Sequence, residues 1–227
     1  MKEDIYKKFY EAEADFKEFL PEKDVEVNAR VRLVYKLLPK KGVKSILDVG
    51  CGDGYLCYCL HKKYHVEGVD ISEKRINRAK KLYPYIHFKV GALPELPYSD
   101  SSFDLVTAVE VLEHIPELDE AVKELKRVSR KYILITVPYK ERPTPVYCPY
   151  CSKVFYKNGH LHYFDEEILS NLMKKNNLRI IKMKKMCILP YIRLKRLPMF
   201  IKDILNELFL ISGVIYINFI GVLVEKM

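Results

Sequence analysis

The chain contains the stretch ILDVGCGDG at residues 46–54, in which an apolar run leads directly into three glycines at alternate positions. The apolar run predicts a buried strand, and the apolar spacing from Tyr55 to Leu60 predicts a helix directly after it. A strand, a glycine turn and a helix in this order bring backbone N–H groups close to a bound nucleotide or carboxylate. Glycine permits that approach because it has no side chain and adopts positive φ angles readily. The stretch therefore predicts a ligand-binding turn in an α/β protein.

Two nucleotide-binding patterns compete for this turn. The dinucleotide pattern G-x-G-x-x-G requires a third glycine at position 55, which is a tyrosine here. The stretch instead resembles motif I of the class I S-adenosylmethionine (SAM) methyltransferases, roughly D-x-G-x-G-x-G. The resemblance implies that the turn binds the methionine end of SAM through Asp48, Gly50, Cys51, Gly52 and Gly54. A tight turn that binds no ligand is the alternative.

A second predicted strand ends in an acid, Asp70. It lies twenty residues beyond Gly50, and a crossover helix and strand of this length place an acid beside the ribose of a nucleotide held at the first turn. A carboxylate there accepts hydrogen bonds from both ribose hydroxyls. We therefore expect Asp70 to bind ribose and Ile71 to contact adenine. A role at the start of the helix that begins near Glu73 is the alternative for Asp70.

The segments GALPELPY at 91–98 and SFDLV at 102–106 follow a third predicted strand. They resemble the loop and fourth strand of the ubiquinone- and menaquinone-biosynthesis (type 11) methyltransferases. In many members an acid near position 92 binds the adenine amino group, whereas this chain has Ala92. The resemblance therefore implies that backbone groups of Ala92 and Leu93 contact the adenine instead.

The alternation of predicted elements indicates a doubly wound, mostly parallel, seven-stranded Rossmann-like methyltransferase sheet. The apolar spacing predicts helices over residues 5–20, 26–38, 73–82, 117–129 and 166–176, and strands over 65–70, 86–90, 132–137 and 178–187. A last strand near 216–224 is expected to pair antiparallel beside the sixth. The chain is read as a single domain, 1–227, divided into an N-terminal helical cover (1–40), a SAM-binding core (41–137), a small Cys/His insertion (138–164) and a C-terminal helix, strands and basic amphipathic segment (165–227).

The string E-x-x-E-H, formed by Glu110, Glu113 and His114, is predicted where the fourth strand meets its loop. Many relatives have a similar string that supports the cofactor or acceptor pocket. In the small-RNA 3′-terminal 2′-O-methyltransferases the same string helps to hold a divalent metal, and two carboxylates with an imidazole suit Mg²⁺, Mn²⁺ or Zn²⁺. Pocket lining, a metal site and structural hydrogen bonding are thus the alternatives. His114 is also a candidate general base.

A second polar cluster combines Cys148 and Cys151 with His160 and His162. A C-x-x-C pair followed by two histidines fits tetrahedral zinc, which would stabilise an insertion with little core of its own. We expect the two cysteines and at least one of the histidines to bind zinc. Relatives often have G-H-x-x-x-F at 159–164 without the cysteines, with a histidine pointing into the acceptor pocket. This alternative makes His160 a second catalytic candidate.

Basic residues give the chain a net charge of +9, and ten of them lie in residues 168–202 without a single acid. The segment 189–212 mixes basic with large apolar residues. Four interpretations remain for this region: a solvated face packed over the sheet, a surface for RNA phosphates, a contact with anionic membrane, and a site that receives an apolar acceptor. The charged N-terminus and the lack of a clean apolar run of 18 residues predict a cytoplasmic protein with reduced cysteines.

Together these features predict a SAM-dependent methyltransferase that acts on a small-molecule or lipid-like acceptor at oxygen. One alternative is an RNA methyltransferase that uses a metal at Glu110, Glu113 and His114. An alternative of another class is a SAM-binding regulatory module without turnover. The sequence does not specify the oligomeric state.

Overall fold

The central sheet of the computed structural model has seven strands in the order β3-β2-β1-β4-β5-β9-β8. The structure describes residues 2–16, 24–187, 197–211 and 218–227. The sheet strands are β1 (Ser45–Val49), β2 (His65–Asp70), β3 (His87–Val90), β4 (Phe103–Val109), β5 (Ser129–Pro138), β8 (Leu178–Met186) and β9 (Phe219–Lys226). Strands β1 to β5 pair in parallel, and β9 lies antiparallel between β5 and β8. The predicted mostly parallel sheet with an antiparallel last strand is confirmed.

The helices flank the sheet close to their predicted positions. They are α1 (Lys2–Phe16), α2 (Val25–Leu37), α3 (Tyr55–Leu60), α4 (Glu73–Leu82), α5 (Leu118–Val128), α6 (Glu166–Lys175) and α7 (Met199–Ile211). Side chains of Asp24, Ser72 and Asp165 accept backbone N–H bonds at the starts of α2, α4 and α6, which satisfies donors that a helix leaves unpaired. The predicted end of the first helix, at residues 17–20, lies outside the described residues.

Apolar cores lie on both faces of the sheet. Along β1, Leu47 and Val49 belong to one core and Ile46 to the other, as expected because alternate residues of a strand point to opposite faces. Helices α5 and α6 contribute Leu125 and Leu169 to the first core. Helices α2, α3 and α4 contribute to the second. Burial on both faces explains why β1 reads as a continuous apolar run.

The fourth strand ends earlier than the sequence predicts. The sequence pattern after Phe103 predicts a strand that runs on to Ile115, but β4 ends at Val109. Glu110 has φ 56°, which is outside strand geometry. A single 3-10 turn follows at Leu112–His114. The E-x-x-E-H string therefore lies in a turn above the sheet, where its side chains are not obliged to alternate between faces.

The insertion after β5 folds into a small hairpin. Its strands are β6 (Pro145–Tyr147) and β7 (Val154–Tyr156). A short turn at Lys157–Gly159 leads back towards the sheet. Within the described residues, no helix is long and apolar enough to cross a bilayer.

Candidate active site

A cavity of about 1130 Å³ opens at the carboxyl ends of the parallel strands. It is larger than the roughly 1,000 Å³ at the upper end of ordinary ligand pockets, so it has room for two reactants side by side. All the predicted cofactor-binding residues except Gly54 line it, namely Asp48, Gly50, Cys51, Gly52, Asp70, Ile71, Ala92, Leu93 and Glu110. Both candidate catalytic residues, His114 and His160, also line it.

The glycine turn after β1 is held against β2. The backbone N–H groups of Gly50 and Cys51 both donate to the carbonyl oxygen of Val69, at 2.8 and 3.1 Å. Gly50 has φ +71°, and a Cβ added to it would lie 2.4 Å from Cγ2 of Val111. Only glycine fits this position without strain.

Gly54 does not line the cavity; it contributes to the packing of α3. It has φ +84° at the start of α3, and a Cβ there would lie 2.7 Å from the Phe88 ring. Gly54 therefore permits close packing of α3 against the sheet.

Asp48 connects the first and fourth strands. It is 2% exposed, and its Oδ1 accepts a hydrogen bond from Thr107 Oγ1 at 2.7 Å. Its Oδ2 lies 3.7 Å from Cys57 Sγ, which donates to it. Burial raises the pKa of Asp48 to about 7, because a carboxylate loses hydration in the protein interior.

Asp70 connects the tip of β2 to the glycine turn. Its Oδ2 accepts from Gly52 N and its Oδ1 from Ser72 N, both at 2.9 Å. Burial raises the pKa of Asp70, while these two backbone donors favour its charged form. Each carboxylate oxygen has further acceptor capacity, so Asp70 can also bind a ligand in the cavity that it lines.

Helix α1 covers the cavity and is anchored to α4. Glu13 forms an ion pair with Arg75 at 2.6 Å, and Arg78 Nη2 donates to Ala14 O at 2.6 Å. Tyr10 reaches from α1 to the polar cluster, with its ring 5.7 Å from that of His114. Burial raises the pKa of Tyr10 far above its ordinary value, so its phenol remains protonated.

Two buried acids lie at the centre of the polar cluster. Glu113 has no exposed surface, and neither of its carboxylate oxygens accepts a hydrogen bond. Burial and the neighbouring Glu110 raise the pKa of Glu113. Glu110 Oε1 accepts from Thr136 Oγ1 at 2.8 Å, and burial raises the pKa of Glu110 to about 7. The unpartnered oxygens of Glu113 provide a place for a proton or a cationic ligand.

His114 has a defined tautomer in this site. Its Nδ1 lies 3.3 Å from the carbonyl oxygen of Gly159, and because a carbonyl only accepts, Nδ1 is the nitrogen that carries the proton. Nε2 of the neutral ring therefore retains its lone pair. Burial lowers the pKa of His114 to about 4, which keeps the ring neutral near pH 7.

The loop that contains His160 is docked on the 3-10 turn after β4. Leu161 N donates to Glu113 O at 2.7 Å. The ring of His160 lies 4.9 Å from that of His114, and its Nδ1 is 3.3 Å from Glu141 Oε1. The two candidate catalytic histidines are thus brought together from positions 46 residues apart.

The predicted zinc ligands are not brought together. His160 lies in the cavity, and His162 Nε2 donates to Ile115 O at 2.8 Å. Cys148 and Cys151 stand at the turn of the β6–β7 hairpin, where the backbone N–H of Cys151 lowers the pKa of Cys148. The docking of the histidine loop on the 3-10 turn explains the separation.

A different group has suitable metal donors. Among the described residues, Glu113, His114 and His160 have ligand atoms within 4.8 Å of one another. Two of these three belong to the E-x-x-E-H string, but the third comes from the histidine loop.

Several residues that line the cavity have no recognisable signal in the sequence. Arg30 of α2 lies with its guanidinium carbon 5.3 Å from the centre of the Phe219 ring of β9, and both line the cavity with Tyr10 and Glu141. Arg30 and Phe219 are 189 positions apart, so only the folded chain brings them together. A motif search reads local spacing and could not find them.

Comparison with known proteins identifies the family. A family model described as "Methyltransferase domain" matches residues 20–183, well over half of the chain. Ajmaline N-methyltransferase of Rauvolfia serpentina is 33% identical over 99 residues, which are 40% of this chain and 34% of that protein. The 27-O-demethylrifamycin SV methyltransferase of Amycolatopsis mediterranei is 34% identical over 102 residues, 41% of this chain and 38% of that protein. The matches thus span less than half the length of these curated relatives.

Solved structures support the same fold. A SAM-dependent methyltransferase from Mesorhizobium loti superimposes with a TM-score of 0.64 at 17% identity, over 91% of this chain and 100% of that chain. At this identity the similarity establishes the fold alone. The fold is that of class I SAM-dependent methyltransferases, and the family match goes further: the chain belongs to the methyltransferase-domain family.

Proposed function

We propose that this enzyme transfers the methyl group of SAM to a hydroxyl oxygen of a small, partly apolar acceptor. One observation carries the proposal: the glycine turn, the Asp70 carboxylate and the unprotonated Nε2 of His114 belong to residues that line a single cavity. The first two suit the cofactor, and the third suits an acceptor that loses a proton.

The cofactor is assigned to the side of the cavity at the tips of β1 and β2. The open surface of the Gly50–Gly52 turn, where the glycines carry no side chains, holds the methionine end of SAM. Asp70 accepts hydrogen bonds from the ribose hydroxyls, and Ile71 and Leu93 contact the adenine. The support for this assignment is that Asp70 and the turn are bonded to each other, so one ligand can contact both.

The acceptor is assigned to the side formed by α2, β9 and the histidine loop. Val27, Val31 and Phe219 line this side with apolar surface. The acceptor oxygen attacks the methyl carbon of SAM, a C–O bond forms as the S–C bond breaks, and His114 Nε2 takes up the hydroxyl proton. S-adenosylhomocysteine leaves. The main contribution of the protein is to hold the two reactants in line.

Relatives support a small-molecule acceptor but differ in the atom that they methylate. One is named ajmaline N-methyltransferase and another 27-O-demethylrifamycin SV methyltransferase. The choice of oxygen rests on the lone pair of His114, because a hydroxyl acceptor must lose its proton and an uncharged amine need not lose one before attack.

Labelled SAM provides the test. The protein is incubated with it and with cell extract separated into small-molecule, lipid, RNA and protein fractions. We expect label in the small-molecule or lipid fraction, and an ether rather than an amine in the isolated product. His114→Asn should retain SAM affinity by calorimetry and lose transfer at least about 100-fold. His87→Asn, on β3 at the sheet edge, is the matched control.

Outcomes that would contradict the proposal are distinct. A methylated amine would reject the oxygen assignment, and SAM binding without label in any fraction would favour a regulatory module. Retention of full transfer by the His114 variant would reject its role as a base.

A second candidate function follows from the group formed by Glu113, His114 and His160. Glu113 is a buried carboxylate that accepts no hydrogen bond and lies 3.8 Å from Nε2 of His114. With the imidazoles of His114 and His160 it is a suitable donor set for Mn²⁺, Mg²⁺ or Zn²⁺. A cation there would favour a ribose hydroxyl of RNA as the acceptor. Calorimetric titration with Mn²⁺ tests it, with Glu113→Gln as the variant. Saturable binding together with label in the RNA fraction would replace the small-molecule proposal by this one.

A further inference from the structure

Helix α7 packs against the protein through charged side chains. Asp203 forms ion pairs with Arg32 and, at 3.4 Å, with Lys36 of helix α2. Glu207, one turn further along α7, lies 3.3 Å from the same lysine. These contacts direct the acidic face of α7 inwards, towards α2.

Two further polar residues of α7 extend this inward face. Asn206 is fully buried, and its Oδ1 accepts a hydrogen bond from Cys187 N at 2.8 Å, directly after β8. Lys202 is also buried, at 8% exposure. Positions 202, 203, 206 and 207 therefore form one polar face, as expected from helical spacing, and this face is held by the protein.

The apolar face of α7 points outwards. Phe200, Ile204 and Leu208 are 64%, 56% and 55% exposed. Their spacing of four residues places them in one row along the helix. A surface helix ordinarily buries its apolar face and exposes its polar one. In α7 the row of Phe200, Ile204 and Leu208 is exposed instead, which leaves it available to a partner outside the described chain.

Charge favours an anionic partner. The chain has a net charge of +9, and in the sequence Arg193, Lys195 and Arg196 precede Met199 by three to six positions. An apolar helix row with a basic cluster beside it in the sequence is the composition that binds the boundary between headgroups and acyl chains.

We propose that the exposed apolar row of α7, formed by Phe200, Ile204 and Leu208, docks on a membrane surface that carries anionic phospholipids. The three side chains enter the acyl boundary while the ion pairs to α2 keep the helix on the protein. A second copy of this chain fits less well, because three such side chains offer on the order of 300 Å² and a stable interface needs about 800 Å² per partner.

Docking would place the active site beside the lipid. Helix α2 receives the ion pairs from α7, and its residues Val27, Arg30 and Val31 line the cavity. An acceptor dissolved in the membrane would then need only a short path to the enzyme. The docking proposal goes beyond the proposed function, since binding to vesicles requires no methyl transfer.

A single tryptophan provides the test, because the chain has none. Phe200→Trp is titrated with vesicles of phosphatidylcholine, alone or in equimolar mixture with phosphatidylglycerol. We expect the emission to shift to the blue on the mixed vesicles, with binding more than about tenfold tighter than on phosphatidylcholine alone and weakened by salt. Leu82→Trp is the control: Leu82 is 47% exposed on α4, which packs on the opposite edge strand, and its emission should not change.

A second variant separates docking from folding. The triple change Phe200→Ser, Ile204→Ser and Leu208→Ser should retain the thermal midpoint and the SAM affinity, because all three side chains are exposed, and should abolish co-sedimentation with mixed vesicles. The proposal is overturned by equal co-sedimentation of the triple variant, by no blue shift on mixed vesicles, or by a shift in buffer that grows with protein concentration, which would indicate a second copy instead.

Discussion

Asp70 Oδ2 accepts a hydrogen bond from the backbone N–H of Gly52 at 2.9 Å, so the tip of β2 is bonded directly to the turn that follows β1. The same carboxylate also accepts from Ser72 N at the start of α4. Because one buried side chain connects both halves of the proposed SAM site, its loss should affect ligand binding more than chain stability.

Asp70→Asn should weaken SAM binding at least about 30-fold, since an amide replaces the charged acceptor of two backbone bonds and of the ribose hydroxyls. Calorimetry gives the dissociation constant. Asp100→Asn is the matched control, because Asp100 is exposed and forms an ion pair with Arg127 at the surface. If the variant binds SAM as tightly as the unmodified protein, Asp70 does not contribute to SAM binding.

Gly50→Ala should destabilise the protein by about 3 kcal/mol or more, because it combines the left-handed backbone with a clash against Val111. Gly42→Ala isolates the backbone cost: Gly42 has φ +80° and nothing within 4 Å of an added Cβ, so about 1 kcal/mol is expected. Urea denaturation measures both. Adding Val111→Ala to Gly50→Ala should recover part of the loss, and no recovery would show that the clash is not the cause.

Glu13→Gln should loosen helix α1 from α4, because it weakens the half-buried pair with Arg75. We expect SAM affinity to fall about fivefold and limited proteolysis within α1 to become faster. Asp15→Asn breaks the neighbouring exposed pair with Lys74 and should change neither quantity measurably. Equal effects of the two changes would mean that α1 does not cover the site through Glu13.

Asp48 should make the protein less stable as the pH rises. Its folded pKa of about 7 lies above the ordinary 3.8, so the native state binds the extra proton. The contribution of this proton to the free energy of unfolding is fully present below about pH 4. It is lost as the pH rises through 7, at up to about 1.4 kcal/mol per pH unit. Hydrogen bonds from the Thr107 hydroxyl and the Cys57 thiol lower the pKa of Asp48, and the negative charge of Asp70 raises it.

Asp48→Asn should flatten the dependence of the unfolding free energy on pH between 5 and 7, because an amide does not titrate. Asp119→Asn, at a surface position on α5, should leave the slope as it is. Urea denaturation across this pH range decides the matter, and an unchanged slope in the Asp48 variant would assign the proton to another group.

The sequence predicts that Gly50 and Asp70 lie close together, and the structure has them close together because both stand at strand ends. Gly50 directly follows β1, Asp70 is the last residue of β2, and the carboxyl ends of parallel strands meet at one edge of a sheet. The acceptor side is different. Tyr10, Arg30 and Phe219 reach the cavity from α1, α2 and β9. Their spacing along the chain does not predict that they come together.

His160 illustrates the limit of pattern reading. Its distance in sequence from Cys148 and Cys151 suggests a zinc site, whereas the hydrogen bond from Leu161 N to Glu113 O directs the loop towards β4. His160 thus belongs to two sequence patterns, the zinc pattern and the G-H-x-x-x-F pattern. The backbone hydrogen bond of its loop determines its position. The alternative that placed a histidine in the acceptor pocket agrees with the observed position.

The position of β9 between β5 and β8 has a consequence for synthesis on the ribosome. Strand β8 emerges before β9, yet it has no place in the sheet until β9 has emerged and paired with β5. During that interval the nascent chain presents an open edge at β5, a feature that favours pairing with other chains. We therefore expect chaperones that shield strand edges to act on this polypeptide after β8 has left the exit tunnel and before β9 has done so.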